Sequence, residues 1–177
     1  MIFPIENKDV VLLPEALDGE YVALHRPLGG TPFTQPEIWL ARSADMVHWG
    51  RHKVLGASVS GWDAGRVGAG APPIRCPDGW LEIYHGSSKP TEEGGVGAYS
   101  AGALLLDLHE PHRIVRQASQ PILVAEADFE RRGFVPNVVF PTGVLDRGDR
   151  LLVYYGAADT VCAVAELSKA DVLAAMR

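Results

Sequence analysis

The chain has no run of basic residues. Across 177 residues of net charge −6 and pI about 5.5, the nearest approach is the pair Arg131-Arg132. Nucleic-acid binders draw most of their affinity from phosphate contacts, so an acidic chain without a basic patch argues against that class. No stretch approaches eighteen consecutive apolar residues, which argues against a membrane-spanning helix. The opening MIFPIENKDVVLLPE has acidic residues early and no long apolar region, unlike a secretory leader. Cys76 and Cys162 are the only cysteines and form no CxxC, so a structural zinc site is not expected. Each lies in an apolar run, where a buried thiol in a reducing compartment is expected. These features together predict a soluble, cytoplasmic protein. There is also no HExxH, no Ser-His-Asp order, and no acidic pair whose spacing marks a two-carboxylate glycosidase.

Turn formers are plentiful instead: 19 glycines and 13 prolines, with 47% hydrophobic and 21% charged residues. That balance favours an all-β fold over a helical bundle. A pattern recurs three times. Short apolar strands are expected at residues 10–15 (VVLLPE), 72–76 (PPIRC) and 138–145 (VVFPTGVL). Each is followed by an Asp/Gly turn and a second strand ending in an aromatic or His: DGEYVALHRP, DGWLEIYHG and RGDRLLVYYG. Third strands follow within residues 37–49, 101–114 and 160–173. Fourth strands close the first two copies, at residues 52–56 (HKVLG) and 120–125 (QPILVA). Antiparallel units of this kind, repeating every ~60–70 residues, predict the blades of a β-propeller with long loops. The chain is therefore read as a single domain, residues 1–177, with repeat units at about 8–56, 66–125 and 134–173. Mostly apolar strands predict burial on both faces, and residues 168–177 (SKADVLAAMR) have the composition of a short terminal helix. Three blades cannot close a ring, which leaves two open faces to be covered by more chain or by a second copy.

Several residues could carry chemistry. In GRVGAGAPP, residues 65–73, three glycines allow close backbone approach and Arg66 adds a cation. The segment reads either as a Gly-rich loop that holds phosphate or as a turn entering a proline-rich strand. His85 ends the second unit's second strand, where an imidazole could face the propeller mouth. His25-Arg26 forms a similar polar tip in the first unit. Asp159 follows the equivalent strand of the third unit and could accept bonds from sugar hydroxyls or simply cap a turn. Asn137 offers an amide and Phe134 an aromatic face, a usual pair for sugar, although Phe134 also suits core packing. Asp45 and Trp49 read as structural, a turn cap and the filling beneath it.

The ordered motifs GRVGAGAPPIRCPDGWLEIYHG, AGALLLDL, FVPNVVFPTGV and YYGAADT resemble glycoside hydrolase family 130, over residues 8–173. The resemblance implies part of a five-bladed β-propeller and an inverting phosphorolysis. In that reaction phosphate attacks the anomeric carbon of a β-mannosyl unit, an Asp serves as general acid, and α-mannose 1-phosphate is released. It implies inorganic phosphate as co-substrate and no metal or organic cofactor. It assigns phosphate binding to Arg66 and His85 and sugar contact to Asp159, with Asn137 and Phe134 as further substrate-binding candidates. The family usually has Lys where Arg66 stands, which bears on phosphorolysis against hydrolysis. Nothing in the chain matches the blades that carry the family's catalytic Asp, so no catalytic acid is named and a truncated member is expected. The alternatives are a non-catalytic sugar- or phosphate-binding remnant and a phosphate-independent β-mannoside hydrolase.

Overall fold

The computed structural model describes residues 6–28, 36–57, 59–92 and 95–177. Within these residues the chain is built from three antiparallel sheets, as the repeat predicts. The first runs in sequence order: β1 (Asn7–Leu12), β2 (Tyr21–Pro27), β3 (Trp39–Ser43) and β4 (Gly50–Val54). The second holds β5 (Arg66–Ala69) and β6 (Ile74–Cys76), both paired with β7 (Gly79–Ser87), then β8 (Tyr99–Leu106) and β9 (Ile114–Gln117). A four-residue helix, α1 (Asp128–Arg131), leads to the third sheet: β10 (Val139–Asp146), β11 (Arg150–Ala157) and β12 (Val161–Ser168). The predicted terminal helix is present as α2 (Lys169–Ala174), with the Ser168 hydroxyl accepting from Asp171 N at 3.2 Å.

Two apolar seams join the sheets. Between the first and second lie Val22, Leu24 and Leu40 against Trp80, Tyr84 and Leu104. Between the second and third lie Leu81, Ile83 and Leu105 against Val139, Leu151, Val153, Val172 and Met176. Successive residues of β7 therefore feed opposite seams, as the two-residue period of a strand requires. The polar ends of the large aromatics are satisfied: Trp80 Nε1 donates to Leu108 O at 3.1 Å and Tyr84 Oη to Asp63 Oδ2 at 3.1 Å. Glu82 is fully buried on the same strand, its Oε1 accepting from Gly70 N at 3.0 Å. Burial pushes its carboxyl well above the usual range. At the far side of the second sheet, Gln117 and Arg177 exchange two backbone hydrogen bonds of 3.1 Å each, and Ala118 bridges Met176. Asp45 and Trp49 have the expected structural roles. Asp45 Oδ1 accepts from Val47 N and His48 N, and Trp49 packs on Ala23 and Ala41.

Some expectations need correction. The fourth strand of the second unit is β9, not residues 120–125. That later stretch contributes only a bridge from Leu123 to Ala101. The glycine-rich segment is not a free loop where it carries Arg66, because Arg66–Ala69 is strand β5, laddered to β7. Cys76 is buried, but Cys162 is exposed, because it lies on the outer face of the third sheet. Burial on both faces holds for β7 but not for the outer sheets. The third sheet leaves Leu145, Tyr154 and Val164 exposed; the first leaves Leu12, Tyr21 and Val54. Among the described residues no helix is long and apolar enough to cross a membrane.

Candidate functional site

The sequence-derived candidates gather at one edge of the three sheets, where β2, β7 and β11 end and β5 and β10 begin. Arg66 opens β5, opposite Ser87; His85 on β7 faces Gly68. Gly68 has a steric reason to be glycine. A Cβ there would lie 2.6 Å from His85 Cε1 and would collide with the Asp9 carboxylate. Its absence lets a side chain of β1 reach one of β7 across β5. Asp9 reaches inward because β1 is bulged. Lys8 pairs with Arg26 and Val11 with Leu24, so two residues of β1 oppose the single His25. Asp9 takes φ 55°, a left-handed conformation that Asp tolerates better than most residues.

The result is a buried polar cluster. Arg26 Nε lies 3.0 Å from Asp9 Oδ2, and His85 Nε2 lies 3.3 Å from the same oxygen. His85 is fully buried and stacks on Phe140 with ring centroids 4.1 Å apart; Tyr99 flanks both rings at 6.0 and 5.9 Å. Burial pushes the His85 imidazole below its ordinary pKa, with Asp9 opposing, so the ring is neutral at pH 7. Burial also works against charge on Asp9, but the neighbouring His85 and Arg26 outweigh it and hold the carboxyl below its usual range. The ion-pair distances do not satisfy the donors. Arg26 Nε and Nη1, Arg66 Nε and both His85 nitrogens are buried without an aligned hydrogen-bond partner among the described residues. Each such group costs about 1–3 kcal/mol, and native folds keep few of them.

Beside this cluster is an exposed rim. Asn137 is exposed at φ 58°, and its carbonyl accepts from Tyr99 N at 2.9 Å. Phe134 is 85% exposed, so it is not the core residue its type allowed. Its N–H donates to Thr160 Oγ1 at 3.0 Å, and Val135 N donates to Ala158 O at 3.2 Å. Ala158 and Asp159 form the β11–β12 turn with φ of 46° and 54°, and Asp159 is exposed there. The rim loop is held from below by Glu130. That carboxylate accepts from Glu126 N and Ala127 N at 2.7 Å each and from Tyr155 Oη at 2.5 Å.

The sequence reading passed over Asp9, Tyr99 and Phe140 and noted Arg26 only as part of a polar tip. The signal for Arg26 was a charged residue at the end of the apolar run VALHRP. Asp9 had no comparable signal, because its direction depends on the bulge. Its neighbour His25 is buried against Asn7 and His52, and burial drops its pKa to about 4. A surface concavity of about 590 Å³, lined by Arg150, Glu166, Lys169 and Leu173, lies at the opposite sheet edge and holds none of these groups. Among the described residues no group of three His, Cys, Asp or Glu is placed to hold a metal ion.

The model of a protein family described as beta-1,4-mannooligosaccharide phosphorylase matches residues 2–177. The chain is 42% identical to a beta-1,2-mannobiose phosphorylase of Listeria innocua, over 97% of this chain and 47% of the relative. It is 34% identical to a beta-1,4-mannooligosaccharide phosphorylase of Ruminococcus albus, over 94% of this chain and 50% of the relative. The solved Listeria innocua beta-1,2-mannobiose phosphorylase, in complex with beta-1,2-mannobiose, superposes with a TM-score of 0.89, covering 98% of this chain and 48% of that one. The chain thus spans about half the length of the curated relatives it matches. On the extent of these matches, and on the shared fold, the chain belongs to glycoside hydrolase family 130.

Proposed function

We propose that this chain supplies the phosphate-binding wall and part of the sugar rim of a β-mannoside phosphorylase. One observation carries the reading: Arg26 and His85 bury polar nitrogens without aligned partners beside the Asp9 carboxylate, and Arg66, close enough to Arg26 for their charges to interact, buries another. An oxyanion with several acceptor oxygens satisfies such donors, and Arg binds phosphate through paired N–H groups. Arg66 and His85 take phosphate, joined by Arg26; Asp159, Asn137 and Phe134 meet the mannoside. Phosphate serves as co-substrate, without metal or organic cofactor. Its oxygen bonds to the anomeric carbon as the glycosidic C–O bond breaks with inversion, giving α-mannose 1-phosphate. The leaving oxygen takes its proton from an acid outside the motifs matched in this chain. The relatives' names, which span β-1,2 and β-1,4 linkages, support the substrate class. The free thiols Cys76 and Cys162 support a cytoplasmic setting.

The outer faces bearing Leu12, Tyr21 and Val54, and Leu145, Tyr154 and Val164, are where further blades or a second copy pack. The half-length match also favours a second reading, a binding protein without turnover. The test is calorimetry with inorganic phosphate, then incubation with β-1,2-mannobiose and β-1,4-mannooligosaccharides, with and without phosphate. Phosphate binding that Arg66→Ala abolishes is expected. Mannose 1-phosphate formation would establish turnover, and binding alone would establish the second reading. Phosphate-independent release of mannose would establish a hydrolase. A folded chain with no phosphate affinity would refute the phosphate site.

A further inference from the structure

A strand at the edge of a sheet offers a row of unpaired N–H and C=O groups to any other strand, and folded proteins guard such edges. The outer edges of the first two sheets are guarded. β4 exposes Arg51, His52 and Lys53, with Arg51 at a left-handed φ of 51° and a break in its register with β3. β9 is only four residues long, and Arg177 holds its end through two backbone bonds to Gln117. β12 has no such device. It runs for eight residues, VCAVAELS, in unbroken register with β11, and among the described residues no strand lies on its other side. It contains neither lysine nor proline, and its one charge, Glu166, is paired with Arg150.

The strand also matches itself when reversed. Ala163, Ala165 and Leu167 face the core, as Val161 does by the two-residue period; Cys162, Val164, Glu166 and Ser168 are exposed on the other face. An antiparallel copy centred on Val164 sets Val161 opposite the copy's Leu167 and Ala163 opposite its Ala165, so only apolar residues meet on the core face. On the exposed face Val164 meets Val164 and Glu166 meets Cys162, which keeps the two carboxylates apart. Tyr154, in register with Val164 on β11, extends that contact into an apolar row across both copies.

We propose that β12 is a homodimerisation edge: two copies pair antiparallel through β12 about a two-fold axis at Val164. Their third sheets then join in the order β10-β11-β12-β12-β11-β10. Antiparallel pairing inverts one copy relative to the other, so the two candidate sites lie at opposite edges of the joined sheet.

Sedimentation over a range of concentrations, amide exchange and cross-linking test this. The wild-type chain is expected to pass from 19.1 kDa to twice that mass as concentration rises. Over the same range every second amide of β12, the set pointing away from β11, should become protected. Val164→Lys opposes two ammonium groups in the dimer but changes an exposed position in the monomer, so it should fold and lose the dimer. In a Cys162→Ser background under air oxidation, Val164→Cys should form a disulfide across the axis, where opposed Cα atoms lie about 4.5–5.5 Å apart, and Val161→Cys should not. A wild-type chain that stays monomeric overturns the proposal and leaves the edge to a different polypeptide. A dimer whose β12 amides exchange as fast as in the monomer overturns it too, and assigns association to the open faces. Dimerisation unchanged by Val164→Lys refutes the axis at Val164.

Discussion

Strands β7 and β11 hold the same place in their sheets but have different surroundings. β7 is buried at all nine positions, with one side chain row in each seam. β11 alternates: Leu151, Val153 and Tyr155 are buried, while Tyr154 on the other face is 46% exposed. The sequences do not reflect this difference. RLLVYYGA is as continuously apolar as GWLEIYHGS, although one of its faces meets solvent. A strand written for two covered faces but covered on one is what the outer blade of an unclosed ring would show. What separates the two strands is thus the neighbours each has, not their own composition.

The widest separation between the strands is expected from large-to-small changes. Trp80→Ala on β7 opens a cavity in the first seam and should cost about 3–5 kcal/mol in urea unfolding. Adjacent residues of β11 sharpen the contrast. Tyr155→Phe removes the hydroxyl bonded to Glu130 and leaves that buried carboxylate short of a partner, a loss of about 1–3 kcal/mol. It should also loosen the rim loop, measurable as faster amide exchange at Val138, whose N–H donates to Glu130 O. Glu82 gives β7 a pH signature that β11 lacks. Its native pKa is raised, so the folded chain keeps a proton that the unfolded chain releases. That contribution is intact below about pH 4.5 and declines as pH rises toward the native value. Glu82→Gln has no such proton, so its stability relative to wild type should improve steadily with pH above 4.5. The smallest effect belongs to the open face: Tyr154→Ala should stay within about 0.5 kcal/mol of wild type in a monomer. A concentration-dependent loss of stability would instead show that a second copy covers that face.

Much of the architecture could be read from sequence because its turns and strands repeat. The Asp18-Gly19 turn, both residues at positive φ, and the cap at Ser168 act through local chemistry, which a sequence displays. The fourth strand of the second unit was misplaced for the converse reason. Residues 120–125 are the more apolar stretch, yet the slot beside β8 is taken by the shorter, more polar β9. Strand pairing there is settled by reach and register rather than by hydropathy. The site was partly legible: Arg66, His85, Asn137 and Asp159 lie at one edge, as their positions in the repeat require. Asp9 could not be found this way. Periodicity assigns one residue per step, and a bulge breaks that assumption where the side chain is re-aimed.

The reciprocal bonds between Gln117 and Arg177 make a splice. They fasten the segment after α2 onto the sheet before it, so the third sheet is moored at both its entry and its exit. A pull on Arg177 would load those two bonds in the second sheet before it reached β12.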